Sequence, residues 1–305
     1  MNDRVKVLLR GGLGNQLFQY AAGYALSQRL GVELHLSRAL LPRVESHSGH
    51  VSVWPDQIST FEHFGHFDDE PPSSNYMHFM STRKHQLFRT LGDRFPKTLL
   101  NVGLFSNESL AREDLFHTIK KPVTIDSYCA SPSYSAGVLD EVIRSVEKVV
   151  DPSNWFISSH EYVRAEKPIG VHIRLGDFER LAHVYGAPRV EYASRAVKLL
   201  KAQFPESPIW LFSDDPAKAR DLFRTSPYID HVVESAPEAK PIESLLLLSA
   251  CAGIVATNST FSWWAGAIGH RNSETVIFPR PLYPATGMPE PKRFLLDPWL
   301  QVGGN

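Results

Sequence analysis

The chain has 305 residues, of which 43% are hydrophobic and 21% are charged, which is typical of a globular protein long enough for two domains. Its formal net charge of −1 provides no overall positive field that would attract nucleic acid or anionic lipid. The two cysteines, Cys129 and Cys251, are too few for a disulfide framework and belong to no zinc-type cluster, so a reducing compartment is the simpler interpretation.

The first third of the chain begins with a β-α-β pattern. A strand is predicted at residues 5–10, a helix at 16–30 with an apolar stripe at helical spacing, and a second strand at 32–36. Gly31 suits the end of that helix. The irregular stretch 46–75 is long for a loop of a compact domain, which favours a functional segment. No N-terminal run suits a signal peptide or a spanning helix, so we expect a cytoplasmic protein.

The second half alternates between strands and helices, which predicts a parallel sheet covered on both faces. We place a domain boundary near residue 160, giving one domain at 1–160 and another at 161–305. The predicted strands are 169–175, 209–212, 231–233, 253–256 and 275–278, and the predicted helices are 138–149, 191–204, a helix from 217, 243–250 and a Trp-rich helix after 256.

The first motif is RGGLGNQ, residues 10–16, between a predicted strand and a predicted helix. Glycines there let backbone N–H groups approach a ligand at the helix N-terminus, although a tight turn without a ligand explains them equally well. A dinucleotide fingerprint is the rival interpretation. It lacks its third glycine, because Gly12 and Gly14 are followed by Leu17, and Glu33 comes late for a ribose contact.

The second motif is GVHIRLGDF, residues 170–178. Strand alternation sends His172 and Arg174 to one face near the carboxyl end of a strand, where open α/β sheets bind ligands. Arginine can hold a phosphate through two hydrogen bonds, and Asp177 follows in the loop, where it could orient either residue. The alternative is a buried arginine–aspartate pair that only fixes the end of the strand.

Two further motifs follow predicted strands. In TNSTFSWW, residues 257–264, a hydroxyl-rich turn opens a helix, so the motif either caps the helix or binds an anion at its N-terminus. Trp263 and Trp264 are expected in the core. In FSDDP, residues 212–216, Asp214 and Asp215 could contact a base or a ribose, but capping of the next helix is favoured. Nothing in their setting supports a divalent metal.

Taken together, these stretches resemble the bacterial α-1,2-fucosyltransferase family. GGLGNQLFQYA, VHIRLGDF, FSDDP and TNSTFSWWAGA occur in the family's order, and His183 and Tyr192 fall where the family has a histidine and a tyrosine. The resemblance extends from Leu9 to about Leu282. Four motifs in order are far more specific than any one of them.

The resemblance implies a GT-B fold, in which two Rossmann-like domains face each other across a cleft. The domain at 1–160 would bind mainly the acceptor, and the domain at 161–305 would bind mainly the GDP-sugar. It also implies inverting transfer of fucose from GDP-fucose to a terminal galactoside, with no cofactor and no metal. The acceptor would be an oligosaccharide or a lipid-linked glycan, and in the latter case the protein would visit the inner face of the membrane transiently. No nucleic-acid partner is expected.

The resemblance also implies roles for single residues. Arg174 resembles the arginine that binds the pyrophosphate, with His172 and Asp177 as its motif partners and the candidate catalytic residues. Asp214 resembles a guanosine contact. The clamp on the phosphates and the sugar is implied at Asn258, Ser259, Thr260 and Phe261, and the first domain is implied to line the cleft with Gly12, Gly14, Asn15 and Gln16.

Several positions depart from the family pattern. Leu175 stands where many members have a second arginine, and Phe178 where they have tyrosine. DSYCASPSY, residues 126–134, matches GYxQSxKYF only loosely, and the acid of Glu243-Ser244 is displaced by one position. These changes leave the reaction type in place and concern the acceptor and details of the donor contacts.

Three rival functions remain open at this stage. One is a transferase of the same architecture with another nucleotide sugar, and another is a non-catalytic protein that binds GDP or a glycan. The third is a nicotinamide-dependent oxidoreductase, which the missing third glycine disfavours. For the proton of the acceptor hydroxyl, Asp177 and His172 are the candidate bases.

Overall fold

The computed structural model describes residues 3–42, 55–59, 61, 64–70, 96–101, 103–107, 113–148, 151–176, 190–224, 229–271, 275–282 and 294–303. The chain divides into two compact units. Residues 1–46, 53–148 and 291–294 form the first, and residues 47–52, 149–290 and 295–305 form the second. Each unit contains its own parallel sheet, which confirms the predicted α/β class with two Rossmann-like units. The cleft implied by the resemblance stays a prediction.

The first unit is built on a five-stranded parallel sheet with the order β3-β2-β1-β5-β4. Its strands are β1 (Arg4–Leu8), β2 (Glu33–Ser37), β3 (His66–Asp68), β4 (Leu104–Asn107) and β5 (Thr124–Ser127). The helices are α1 (Leu13–Leu30), α2 (Pro96–Asn101), α3 (Glu113–His117) and α4 (Leu139–Val146), with a 3-10 turn at Pro132–Ser135.

Helix α1 begins three residues before its predicted start, because Gly12 is its N-cap and Gly14 lies inside its first turn. It ends at Gly31, whose φ of +65° is the left-handed conformation that glycine adopts at least cost. The helix is buried along most of its length, and Leu17, Ala21 and Leu26 have no exposed surface. Its burial against the sheet is what fixes the RGGLGNQ turn at the carboxyl end of β1.

The second unit has a six-stranded parallel sheet with the order β11-β10-β9-β6-β7-β8. Its strands are β6 (Ile169–Ile173), β7 (Ile209–Ser213), β8 (His231–Val232), β9 (Gly253–Val255), β10 (Thr275–Arg280) and β11 (Leu300–Gly303). Counted from β6, the order is 3-2-1-4-5-6, which is that of a dinucleotide-binding Rossmann sheet. The helices are α5 (Asn154–Glu166), α6 (Val190–Gln203), α7 (Pro216–Leu222), α8 (Pro241–Ser249) and α9 (Thr260–His270).

The core of the second unit confirms the strand alternation predicted for β6. Ile169, Val171, Ile173 and Leu175 belong to one buried cluster with the apolar face of α6. Trp263 and Trp264 have no exposed surface, as expected for core residues. At about 25 cal/mol per Å² of buried apolar surface, each buried aliphatic side chain contributes about 1.5–3 kcal/mol to folding. Because these apolar residues must face the core, the polar residues that alternate with them face the other side of β6.

Helix α5 is absent from the predictions, and the predicted boundary near residue 160 falls within it. Among its residues only Val163 is buried, so the helix lacks the apolar stripe that periodicity detects. Its N-terminus is instead held by Glu243 of α8. The fully buried carboxylate accepts hydrogen bonds from Ser153 N–H at 2.7 Å, Ser153 Oγ at 2.8 Å and Lys240 N–H at 2.9 Å.

We expect Glu243→Ala to lower the free energy of unfolding by roughly 3 kcal/mol, because it leaves buried donors at two helix starts without acceptors. Glu238→Ala, which removes an exposed carboxylate before the same helix, is the matched control and should change stability by less than about 0.5 kcal/mol. Urea unfolding of both variants measures the difference. Equal midpoints would show that the carboxylate does not hold the two helices.

Candidate nucleotide-binding site

The second and third motifs meet at the point where the strand order of the second unit reverses. From β6 the chain proceeds to β7 and β8 on one side, whereas β9, β10 and β11 lie on the other. Strands β6 and β9 are neighbours, with Val171 opposite Val255. The crevice outside the carboxyl ends of two such strands is the ligand-binding position of open α/β sheets. His172 and Arg174 therefore share one sheet edge with residues 256–262.

His172 is the residue that joins the two motifs. Its side chain is 6% exposed, its Nδ1 lies 2.6 Å from Ser262 Oγ, and its ring stacks on Phe261 with centroids 5.1 Å apart. Ser262 Oγ in turn accepts the Thr257 N–H at 3.1 Å. This hydrogen-bonded chain connects β6 to the turn after β9 and to the first turn of α9. It fixes both the ring orientation and the turn.

Burial, and then the nearby Arg174 cation, lower the pKa of His172 from 6.5 to about 3. The imidazole is therefore neutral at pH 7, so it acts as a hydrogen-bonding group and not as a cation. With Nδ1 engaged by Ser262, Nε2 is the nitrogen available to a ligand. A base with so low a pKa accepts a hydroxyl proton poorly at neutral pH. The role of His172 in catalysis stays a prediction.

Arg174 follows β6 directly and is half-buried. Its positive charge is the second cause, after burial, of the lowered pKa of His172. A guanidinium can bind phosphate oxygens with two parallel hydrogen bonds. Its assignment to the pyrophosphate stays a prediction.

The N-terminus of α9 lies in the same crevice. Ser259 is its N-cap, and Ser259 Oγ accepts the Phe261 N–H at 3.2 Å, so the capping interpretation of this motif is confirmed. The first turn of α9 contains no acidic side chain, which leaves the positive end of the helix dipole without an internal counter-charge. Asn258, Thr260 and Phe261 surround this helix start, as the motif predicts. Their contact with a ligand stays a prediction.

Asp214 has a structural task at the neighbouring strand end. Its Oδ1 accepts the Leu175 N–H at 2.8 Å and its Oδ2 accepts the Gly176 N–H at 3.2 Å, so the carboxylate holds the loop that leaves β6. A Cβ at Gly176 would lie 2.9 Å from Asp214 Oδ2, which explains the glycine. Asp215 is the N-cap of α7, as the capping interpretation predicted. A guanosine contact by Asp214 stays a prediction.

Two residues singled out from the sequence, Asp177 and His183, lie outside the described residues. Tyr192, the other position of the family pattern, is buried, and its hydroxyl contacts the carbonyl oxygens of Ala256 at 2.9 Å and Ile277 at 2.7 Å. Tyr192 therefore ties α6 to the end of β9 and to the middle of β10. Among the described residues, no three His, Cys, Asp or Glu side chains are grouped as metal ligands.

The glycine motif lies in the first unit, at the carboxyl end of β1. Gly11 has a φ of +76°, and a Cβ there would lie 2.5 Å from Asn15 Nδ2, so this position requires glycine. Gln16 is fully buried. Its Nε2 donates to Gly11 O at 2.7 Å and Pro55 O at 2.8 Å, and its Oε1 accepts the Gln57 N–H at 2.9 Å.

These contacts give Gln16 a structural use, which is to pin residues 55–57 to the glycine turn. The N–H groups of Asn15 and Gln16 donate to Gly12 O at 2.9 and 3.0 Å. Ligand contacts by Gly12, Gly14, Asn15 and Gln16 stay predictions. Sequence reasoning missed Ser262 as the partner of His172. The only available signal was that both residues follow neighbouring strands of a parallel sheet.

The low pKa of His172 makes stability sensitive to acid. Below pH 6.5 the unfolded chain protonates this histidine while the folded protein does not, so stability falls as the pH drops from about 6.5 towards 3. We expect His172→Asn, which keeps a polar group near the Nδ1 position without titrating, to lose less stability over this window than the parent does. Urea unfolding at pH 7 and pH 4.5 measures the two losses.

His231→Asn, which replaces an exposed histidine of β8, is the matched control and should retain the acid sensitivity of the parent. Identical losses in the parent and in His172→Asn would contradict a buried neutral imidazole.

No helix among the described residues is long and apolar enough to cross a membrane. The chain is 24% identical over 318 residues to the O-antigen biosynthesis glycosyltransferase WbnK of Escherichia coli, covering 96% of this chain and 99% of that protein. It is also 24% identical over 285 residues to an alpha-1,2-colitosyltransferase of Escherichia coli, covering 90% and 91%.

Among solved structures, the fucosyltransferase NodZ from Bradyrhizobium is similar with a TM-score of 0.47 and 19% identity, covering 87% of this chain and 92% of that chain. The family described as "Glycosyl transferase family 11" matches residues 126–297, more than half of the chain. This stretch contains the His172 and Ser262 motifs that meet at the strand-order reversal. The chain belongs to glycosyl transferase family 11.

Proposed function

We propose that this glycosyltransferase moves L-fucose from GDP-β-L-fucose to the 2-hydroxyl of a terminal galactoside, with inversion at the anomeric carbon and without a metal. One observation carries the proposal. At the strand-order reversal of a Rossmann sheet, a half-buried arginine and a neutral buried histidine share an edge with a helix N-terminus that has no acidic residue. The order of motifs along the chain supports fucose as the sugar.

The diphosphate is the part of the donor that this geometry suits best. Arg174 supplies a permanent positive charge, and the start of α9 supplies a helix dipole, so two sources of positive potential converge from separate elements. Neutral His172 can hydrogen-bond through Nε2 without adding charge. Asp214 binds the loop after β6 and so holds Arg174 in place.

In the proposed step, the bond between the anomeric carbon of fucose and the β-phosphate oxygen breaks, and GDP leaves with the electron pair. The 2-hydroxyl oxygen of the acceptor attacks the opposite face, so a β-linked donor gives an α-fucoside. Arg174 and the α9 N-terminus stabilise the charge that develops on the leaving phosphate. The hydroxyl proton passes to a base, for which Asp177 remains the candidate because His172 is too weakly basic.

The acceptor we propose is an oligosaccharide or lipid-linked glycan with a terminal galactoside. The relative named for O-antigen biosynthesis supports a glycan acceptor. A lipid-linked acceptor would bring the protein to the membrane surface transiently.

A second candidate function is transfer of another nucleotide-activated sugar by the same chemistry. The relative named as an alpha-1,2-colitosyltransferase favours it, because colitose and fucose are both deoxyhexoses. Discrimination between two such sugars depends on contacts with one or two hydroxyl groups, which a site can reject or accept without any change in how it holds the diphosphate. A non-catalytic protein would instead bind GDP and transfer nothing.

A donor panel separates these candidates. We expect GDP-fucose to be consumed in the presence of a galactoside and linkage analysis to find an α-1,2-fucoside, whereas UDP-galactose should not be consumed. Consumption of GDP-colitose in preference to GDP-fucose would replace the first proposal with the second. Binding of GDP without consumption of any donor would contradict both.

We expect Arg174→Ala to lower kcat by about 10²–10³-fold, the cost typical of removing one group that stabilises developing charge. Arg174→Lys should recover part of this loss, since it keeps the charge but not the forked geometry. Arg164→Ala, which removes an exposed arginine of α5, is the control and should retain the parent's rate. Steady-state kinetics with saturating GDP-fucose measures these rates. A near-parent kcat in Arg174→Ala would eliminate the proposed role.

A further inference from the structure

A polar and aromatic cluster lies at the strand-order reversal of the first unit, and none of its residues belongs to the candidate site of the second unit. From β1 the chain proceeds to β2 and β3 on one side, and β5 and β4 lie on the other, so the reversal falls between β1 and β5. Arg10 follows β1, and Asp126 and Tyr128 come from the end of β5. These three residues are called the Arg10 cluster below. Their position is that of a ligand site in an open α/β sheet.

The cluster is held by close contacts. The Arg10 guanidinium lies 2.7 Å from Asp126 Oδ1 and stacks over the Tyr128 ring at 4.8 Å from its centroid. Both charged side chains are largely buried, with 16% of Arg10 and 6% of Asp126 exposed, whereas Tyr128 is 41% exposed. An exposed ring is thus fixed from beneath by a buried ion pair.

The backbone is strained directly after Tyr128. The next residue, Cys129, has a φ of +46°, a left-handed conformation that a residue with a Cβ adopts only when its surroundings impose it. Ser127 and Cys129 are both buried, and Cys129 N–H donates to Ser127 Oγ at 3.3 Å. Strain of this kind concentrates at ligand sites. Here it accompanies the exposed ring of Tyr128, which lies between the buried residues Ser127 and Cys129.

The cluster also retains unused hydrogen-bonding groups. Within the described part of the chain, Arg10 Nε is buried without a hydrogen-bond partner, and so is Nε2 of the fully buried Gln19. The Gln19 Oε1 accepts the Arg10 N–H at 3.0 Å, so this carboxamide adjoins the cluster. Buried donors without partners are rare in folded proteins, and the Arg10 guanidinium that carries one of these lies over the exposed ring of Tyr128.

The chemistry of the cluster suits a neutral sugar. The Arg10–Asp126 ion pair has no net charge, and its carboxylate would repel a phosphate. The pair does offer the hydrogen-bond donors and acceptors that neighbouring sugar hydroxyl groups need. The exposed ring offers an apolar surface to the C–H face of a pyranose. We propose that the Arg10 cluster binds the acceptor saccharide, with Tyr128 as the platform. The choice of a galactoside as its ligand rests on the proposed function.

The direct test is saturation-transfer NMR of the full chain with methyl β-D-galactopyranoside and GDP. We expect saturation of the ring protons at C3, C4 and C5, the apolar face of galactose, in the parent and in Tyr128→Phe, and its loss in Tyr128→Ala. Tyr162→Ala, which removes an exposed tyrosine of α5, is the matched control and should keep the signal. No signal in the parent, or an unchanged signal in Tyr128→Ala, would overturn the proposal.

Kinetics then separates this inference from the proposed function. In Tyr128→Ala we expect the KM for the galactoside to rise about tenfold, with the KM for GDP-fucose and the slow hydrolysis of GDP-fucose without acceptor unchanged. Asp126→Asn should also raise the KM for the galactoside. If the parent consumes GDP-fucose but Tyr128→Ala keeps its acceptor KM, the cluster is not the subsite while the proposed function stands. If the parent consumes no GDP-fucose, the proposed function fails, and the NMR result alone decides the cluster.

Discussion

The hydrogen bond between His172 and Ser262 is the contact on which the candidate site depends. It joins the strand β6 to the first turn of α9, 90 residues further along the chain, across a distance of 2.6 Å. Because Ser262 also accepts the Thr257 N–H, one hydroxyl sets the position of the histidine ring, the turn after β9 and the start of the helix. The start of α9 is thereby held at the sheet edge where β6 ends.

The low pKa of His172 has two causes, which are burial of the ring and the nearby Arg174 cation. Burial beneath Phe261 and proximity to Arg174 keep the imidazole neutral, so the site holds one permanent cation and one neutral hydrogen-bonding ring. This division suits a leaving diphosphate, which needs a charge that does not titrate and donors that do not compete with it. The same low pKa makes His172 a weak base at neutral pH.

Much of this arrangement could be predicted from the sequence, and the reasons are physical. Strand alternation placed Ile169, Val171, Ile173 and Leu175 in the core, because apolar burial leaves only one way for β6 to face. Helix α5 was missed because a single buried residue gives no periodic signal, and its anchor, Glu243, acts through hydrogen bonds across 90 residues. The hydrogen bonds of Asp214 and Gln16 to backbone N–H groups were also missed. The sequence alone does not distinguish a polar residue that binds a ligand from one that binds the backbone.

In both units, the polar residues considered as ligand contacts lie where the strand order of the sheet reverses. A cation, a helix dipole and a neutral imidazole in the second unit suit a diphosphate, and a neutral ion pair beneath an exposed ring in the first suits a sugar. A crystal structure of the chain with GDP would test the proposed diphosphate site. We expect phosphate oxygens within hydrogen-bond distance of Arg174 and of the backbone at the start of α9. A nucleotide bound away from both would contradict the proposal.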